Sequence, residues 1–171
     1  PGTGKEYIAT KFAQMLNCEK DRGSTCGKCS SCKRFENLQH ENLNLVFPLP
    51  TLKNKSFGGL DEFDKSNIDL ITDSIKSKSK NPFHKIRIPN ANRILIQSIR
   101  ALRQKLYFKT QNFGRKVVLV FDAHLLNSGQ GEAANAFLKI LEEPPSNTTI
   151  ILVTDYMELL LPTILLSLIH I

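Results

Sequence analysis

Two short runs limit what this chain can fold into: "KVVLVFD" (116–122) and "TTIILVTD" (148–155). Neither alternates apolar with polar residues, as a strand with one wet face would. A continuous β-branched run has to be covered on both sides, the condition of a strand inside a parallel sheet. Both are read as fully buried strands. Between them "GEAANAFLKILEEPP" (131–145) reads as a helix that Pro144 and Pro145 stop. Alternation of this kind predicts an α/β fold, a parallel sheet flanked by helices on both faces.

Residues 4–17 read as a helix, with Ile8, Phe12 and Leu16 recurring along one face and Ala9, Ala13 and Met15 widening it. A second amphipathic piece spans Cys32–Leu38, and "NLNLVFP" (42–48) reads as a short buried strand. In "NRILIQSIRALRQKLYF" (92–108), Leu95, Ile99, Leu102 and Leu106 form one apolar stripe. Residues 50–90 differ: they are rich in Lys, Asn, Ser and Asp, and only Ile68, Ile71 and Ile75 would suit a short helix. The expectation is a variable polar insertion or mobile connection within one domain spanning 1–171. No run of eighteen apolar residues occurs, so the chain reads as an intracellular, cytoplasmic domain without a membrane span.

All four cysteines fall in "CEKDRGSTCGKCSSC": Cys18, Cys26, Cys29 and Cys32. Overlapping C-x2-C steps bring sulfurs to one tetrahedral ion, and Gly23 and Gly27 permit the tight turns between them. A structural zinc module over 18–32 is the favoured reading. Two disulfides or four free thiols are the alternatives. His40 is a candidate substitute ligand, with a surface or capping role preferred.

The chain opens on "PGTGKE". Gly2, Thr3 and Gly4 can bring bare backbone amides to phosphate groups, Lys5 can reach the outer phosphates, and the helix that follows supplies an N-terminus. Far downstream, Asp122 closes an apolar strand where a phosphate-loop protein would hold magnesium. ATP and Mg2+ are therefore the candidate ligands, and whether nucleotide is retained is open. The formal net charge of +7 suits an acidic partner such as nucleic acid. Its densest patch, Lys76, Lys78, Lys80, Lys85 and Arg87, fits either a solvated basic loop or a phosphate-contacting one.

The block "GQGEAANAFLKILEEPPSNTTIILVTDYMELLLPTIL", with a four-cysteine module soon after the phosphate-loop helix, resembles the bacterial clamp-loader subunits of DNA polymerase III. Within that family the delta-prime and gamma/tau members share these features. The resemblance implies a partial AAA+ domain with an inserted four-cysteine zinc module, acting with other clamp-loader subunits to place the sliding clamp on primed DNA. It also implies that Thr154 occupies the sensor position near the gamma-phosphate.

Two departures bear on catalysis. Glu6 stands where a hydrolysing loop has the Ser or Thr that coordinates magnesium, and it would face phosphates of its own sign. Ala123 stands where active members carry the water-orienting glutamate, while His124, one residue on, should point elsewhere. No catalytic residue is assigned, and a delta-prime-like, hydrolysis-deficient subunit is preferred. An active gamma/tau-like ATPase and a zinc-ribbon nucleic-acid adaptor are the alternatives. The family's arginine finger has no counterpart in "PTILLSLIHI", so either the protein cannot act in trans or the last residues are not native. The start inside the loop and the apolar end suggest a truncated fragment, lacking the lid and collar domains.

Overall fold

The computed structural model describes residues 4–21, 23–51, 65–108 and 114–169. Within these residues, the α-helices and strands follow one another in chain order. They are α1 (Lys5–Leu16), α2 (Ser30–Glu36), β1 (Leu43–Val46), α3 (Lys65–Lys80), α4 (Ile96–Tyr107), β2 (Lys116–Val120), α5 (Glu132–Glu142), β3 (Thr148–Leu152) and α6 (Pro162–Ile169). The strands form one parallel sheet in the order β1-β2-β3. Leu43 lies opposite Val117, and Lys116 opposite Thr148.

The middle strand explains the double cover. Successive side chains of a strand leave on opposite faces, and Val117 to Val120 are all fully buried. Val118 and Val120 join Ile99, Leu106, Phe137 and Ile164, contributed by α4, α5 and α6. Val117, Leu119 and Phe121 join Ala9, Ala13, Phe35, Ile71 and Ile88 on the other face. Each such side chain removed from water contributes roughly 1.5–3 kcal/mol, so one five-residue strand holds both layers together. β3 departs from the reading of a fully buried strand: its residues are only partly buried. Among the described residues it pairs on one side only, with β2, which leaves its other edge uncovered by a strand.

The helices mostly follow the periodicity. Leu95, Ile99, Leu102 and Leu106 are all buried as the stripe predicts. In α1 the buried face is rotated from the expected one: Ala9 and Ala13 are buried, whereas Ile8 is 62% and Phe12 43% exposed. Small side chains let the helix backbone approach the sheet and α2, so the alanines at the rim of the predicted face become its centre.

Residues 50–90 differ most from expectation. Within that stretch 52–64 lie outside the described residues, but α3 runs for 16 residues and buries Ile71. The segment after it inserts Ile86 and Ile88 into the core. An isolated antiparallel bridge between Leu49 and Arg93, with the Leu49 N–H donating to the Arg93 carbonyl at 3.1 Å, pins the segment's far end. Ile68 is exposed, but Ile71, Ile75, Ile86 and Ile88 all pack into the same layer, which suffices to anchor a polar sequence. Among the described residues, no helix is long and apolar enough to cross a membrane.

Candidate functional site

The end of β2 and the start of α1 meet on one side of the sheet. Gly4 precedes α1 in the left-handed region (φ 70), where a glycine carries no side-chain penalty. Gly2 and Thr3 lie outside the described residues. Lys5, at the first turn of α1, has its Nζ 2.6 Å from Asp155 Oδ1. The hydrogen bond from Lys5 holds the Asp155 carboxyl below the ordinary carboxylate range. Asp122 follows β2 in the left-handed region (φ 49), where the chain leaves the strand for a short 3-10 helix, Ala123–Asn127.

Asp122 is not facing an empty space. Lys85 Nζ lies 2.7 Å from Asp122 Oδ1 and 3.8 Å from Asp155 Oδ2. Phe83, two residues before Lys85, covers Gly4: a Cβ built on that glycine would lie 3.3 Å from the Phe83 Cε1 atom. Phe83 also meets Tyr7, ring centroids 5.2 Å apart. The space left between these groups is about 110 Å3, below the roughly 300–1,000 Å3 of a typical small-molecule site.

Glu6 also lines this space, but its carboxylate is already engaged. It forms an ion pair with Lys78, whose side chain is 3% exposed. Lys78 also donates to the His84 carbonyl at 2.8 Å, and its ammonium lies 5.0 Å from the centre of the Phe121 ring. The expected clash of Glu6 with phosphate charge is thus answered within the chain, by a cation from α3. The basic patch is correspondingly divided. Lys78 is buried and Lys85 is engaged with two carboxylates, so neither belongs to a freely solvated loop.

Thr154 follows β3, and its hydroxyl is engaged twice. Tyr156 N–H donates to Oγ1 at 3.0 Å, and His124 Nδ1 shares a 3.0 Å hydrogen bond with the same oxygen. His124 thus meets Thr154 and is not among the residues lining the space between Lys5 and Asp122. The chain turns into the 3-10 helix at Asp122 and does not continue as a strand, which swings His124 onto Thr154 and against the Tyr156 ring at 5.0 Å.

The structure accordingly brings Gly4, Lys5, Asp122 and Thr154 to one locality. Sequence reasoning missed Asp155, and it named Lys85 only within the basic patch, without its partner Asp122. Asp155 is in plain view as the last residue of "TTIILVTD". Lys85 carries no such signal, because it meets a carboxylate 37 positions downstream in a pairing that no local spacing encodes.

The second constellation is the cysteine cluster. The four sulfurs of Cys18, Cys26, Cys29 and Cys32 lie within 4.8 Å of one another, and none is in a disulfide. Gly27 sits at φ 66 in the first C-x2-C turn. Cys29 caps α2, its sulfur accepting from the Cys32 N–H at 3.3 Å. The Cys29 N–H in turn donates to the Cys26 sulfur at 3.4 Å. The Cys26 backbone N–H is the main cause that draws the Cys18 thiol down to about 6, whereas burial pushes Cys32 up to about 12. Four sulfurs converging without a counter-cation cannot all ionise. A divalent ion at roughly 2.3 Å from each would remove that conflict and suits the observed cluster.

His40 is no ligand to this cluster and no surface residue. It is buried, stacks on Phe35 with ring centroids 4.3 Å apart, and accepts the Asn42 N–H on Nδ1 at 3.0 Å. Its Nε2 therefore carries the proton and meets Ser31 Oγ at 3.0 Å, while Ser31 donates to the Asn17 carbonyl. Burial lowers its pKa below the ordinary histidine value.

The sequence family described as "DNA polymerase III, delta subunit" matches residues 1–166. The chain belongs to this family. Curated relatives agree on the clamp-loader group. The chain is 28% identical over 165 residues to "DNA polymerase III subunit delta'" of Escherichia coli (strain K12), covering 96% of this chain and 37% of that protein. It is 28% identical over 154 residues to "DNA polymerase III subunit tau" of Bacillus subtilis (strain 168), covering 90% of this chain and 19% of that protein. It thus spans little more than a third of the delta' relative. A solved gamma subunit-related protein from Thermotoga maritima has 25% identity and a TM-score of 0.42, over 80% of this chain and 42% of that one. The family match runs through the glycine loop, the cysteine cluster and all three strands, so both constellations belong to one clamp-loader-family chain.

Proposed function

We propose that this chain is the AAA+ portion of a delta-prime-like subunit of the clamp loader. In this reading it works in the cytoplasm with other clamp-loader subunits to place the sliding clamp on primed DNA, and does not itself hydrolyse ATP. Overall identity does not separate the subunits, since the delta' and tau relatives stand equally near. The local chemistry favours the delta-prime-like member. The observation that carries the reading is that Glu6 replaces the magnesium-binding hydroxyl and is committed to Lys78, while Ala123 replaces the water-orienting carboxylate. Phosphoryl transfer depends on the positioning of metal and water, and two losses in one site argue against turnover.

Cys18, Cys26, Cys29 and Cys32 would hold a zinc ion, which cross-links the 18–32 module to α1 and α2 without taking part in chemistry. Gly2, Thr3, Gly4, Lys5, Asp122 and Thr154 remain the candidate contacts for a nucleotide.

The gamma/tau-like reading keeps one supporting observation, the retained Lys5 of the glycine loop. Steady-state ATP turnover of the intact protein separates the two. The delta-prime-like reading expects a rate no higher than that of Lys5→Ala. Turnover that Lys5→Ala abolishes would establish the motor instead. The zinc-ribbon adaptor fits less well, because the family match extends far beyond the module. It would require Cys29→Ser to abolish DNA binding by the isolated subunit.

A further inference from the structure

Magnesium is the ion that a phosphate-loop fold places between the strand-end aspartate and the loop hydroxyl. The donors present here do not suit it. The hydroxyl position is Glu6, whose carboxylate is taken by the buried Lys78. The strand-end carboxylate, Asp122, already meets an ammonium at 2.7 Å, and the same ammonium lies 3.8 Å from Asp155. Asp155 in turn is held by Lys5 at 2.6 Å. Three lysines thus answer the three carboxylates that line this space.

We infer that Lys85 is a built-in replacement for the divalent cation, so that this site engages no metal ion and any polyphosphate reaching the loop is held without one. The inference rests on the reading of the chain as a hydrolysis-deficient clamp-loader subunit but goes beyond it. A site can lose turnover by losing its water-orienting group and still hold magnesium.

The physical argument is one of charge and place. Lys85 and a divalent ion compete for the same Asp122 oxygen, and they repel each other at contact distance in a site only partly open to water. The Lys85 side chain is 34% exposed, with Asp122 at 16% and Asp155 at 19%. Water therefore screens these charges less than on an open surface. The ammonium is delivered by a segment anchored on both sides. Lys78 donates to the His84 carbonyl immediately before it, and Ile86 and Ile88 enter the core immediately after it. Phe83, from the same segment, covers Gly4. Lys85 is thus held by its neighbours and is not a surface lysine that happens to fall near a carboxylate.

The test uses Mn2+ alone, titrated into the intact, zinc-loaded protein and followed by the electron paramagnetic resonance signal of the free ion. The wild type and Asp122→Asn are expected to give the same Mn2+ titration. Lys85→Met, and independently Lys85→Gln, should gain a site on the order of tenfold tighter than any wild-type binding. Adding Asp122→Asn to either variant should abolish that gain, and Lys85→Arg should behave as wild type. Wild-type Mn2+ binding that is lost in Asp122→Asn would overturn the inference without variants at Lys85. So would the absence of a gain in a Lys85 variant whose circular dichroism and melting match the wild type. Neither result would touch the claim about hydrolysis, which stands or falls on turnover.

Discussion

Lys78 and Glu6 are 72 positions apart, yet their ion pair joins α3 to the first turn of α1. A lysine 3% exposed is tolerated because the carboxylate, the His84 carbonyl and the Phe121 ring face surround its ammonium. Removing one member of such a pair leaves the other charge poorly solvated. Lys78→Met alone is therefore expected to destabilise the protein by about 3 kcal/mol. The double substitution Lys78→Met with Glu6→Gln should recover most of that loss, as measured by urea denaturation. Equal losses in the single and double variants would show that the pair contributes nothing through charge.

His40 belongs to the same scale. Its pKa is lowered by burial, with Glu41 and Glu19 pulling it up and Arg34 pushing it down. Because Nδ1 already accepts a backbone hydrogen bond, the folded state resists a second ring proton. The unfolded chain takes that proton near the ordinary value of 6.5. The stability due to neutral His40 is thus fully present above pH 6.5 and declines as pH falls below it, by at most about 1.4 kcal/mol per pH unit. Comparing urea midpoints of wild type and His40→Gln from neutral to mildly acidic pH should give the steeper decline in the wild type. Parallel curves would remove His40 from the account.

At the scale of elements, helix and strand identity was largely legible because the patterns are strong. A five-residue β-branched run, or a stripe such as Leu95, Ile99, Leu102 and Leu106, has few ways to be satisfied. α1 shows where pattern fails. Its apolar residues span a face too broad to say which part meets the sheet, and packing distance selected Ala9 and Ala13 over Ile8 and Phe12. The cysteine module was readable for another reason, since chelation demands local spacing. Its expected behaviour follows from the cap that Cys29 places on α2. Cys29→Ser, or extraction of bound metal by a strong chelator, should lower the melting temperature and release about one zinc per chain by atomic absorption. The parallel sheet should survive, because its core clusters contain none of the cysteines. A protein carrying no zinc when purified in its presence would contradict this.

At the scale of the whole molecule, the sequence by itself determined the covered parallel sheet and the four-sulfur cluster. Those features are written in periodicities and short spacings, which act through neighbours along the chain. Only the tertiary structure decided that Glu6 meets Lys78, that His124 reaches Thr154, and that Lys85 and Lys5 neutralise Asp122 and Asp155. Charges select partners by distance in space, and distance between remote residues exists only once the core has closed. The polar stretch before residue 90 looked uninformative for that reason: its isoleucines and lysines acquire their roles from what they touch.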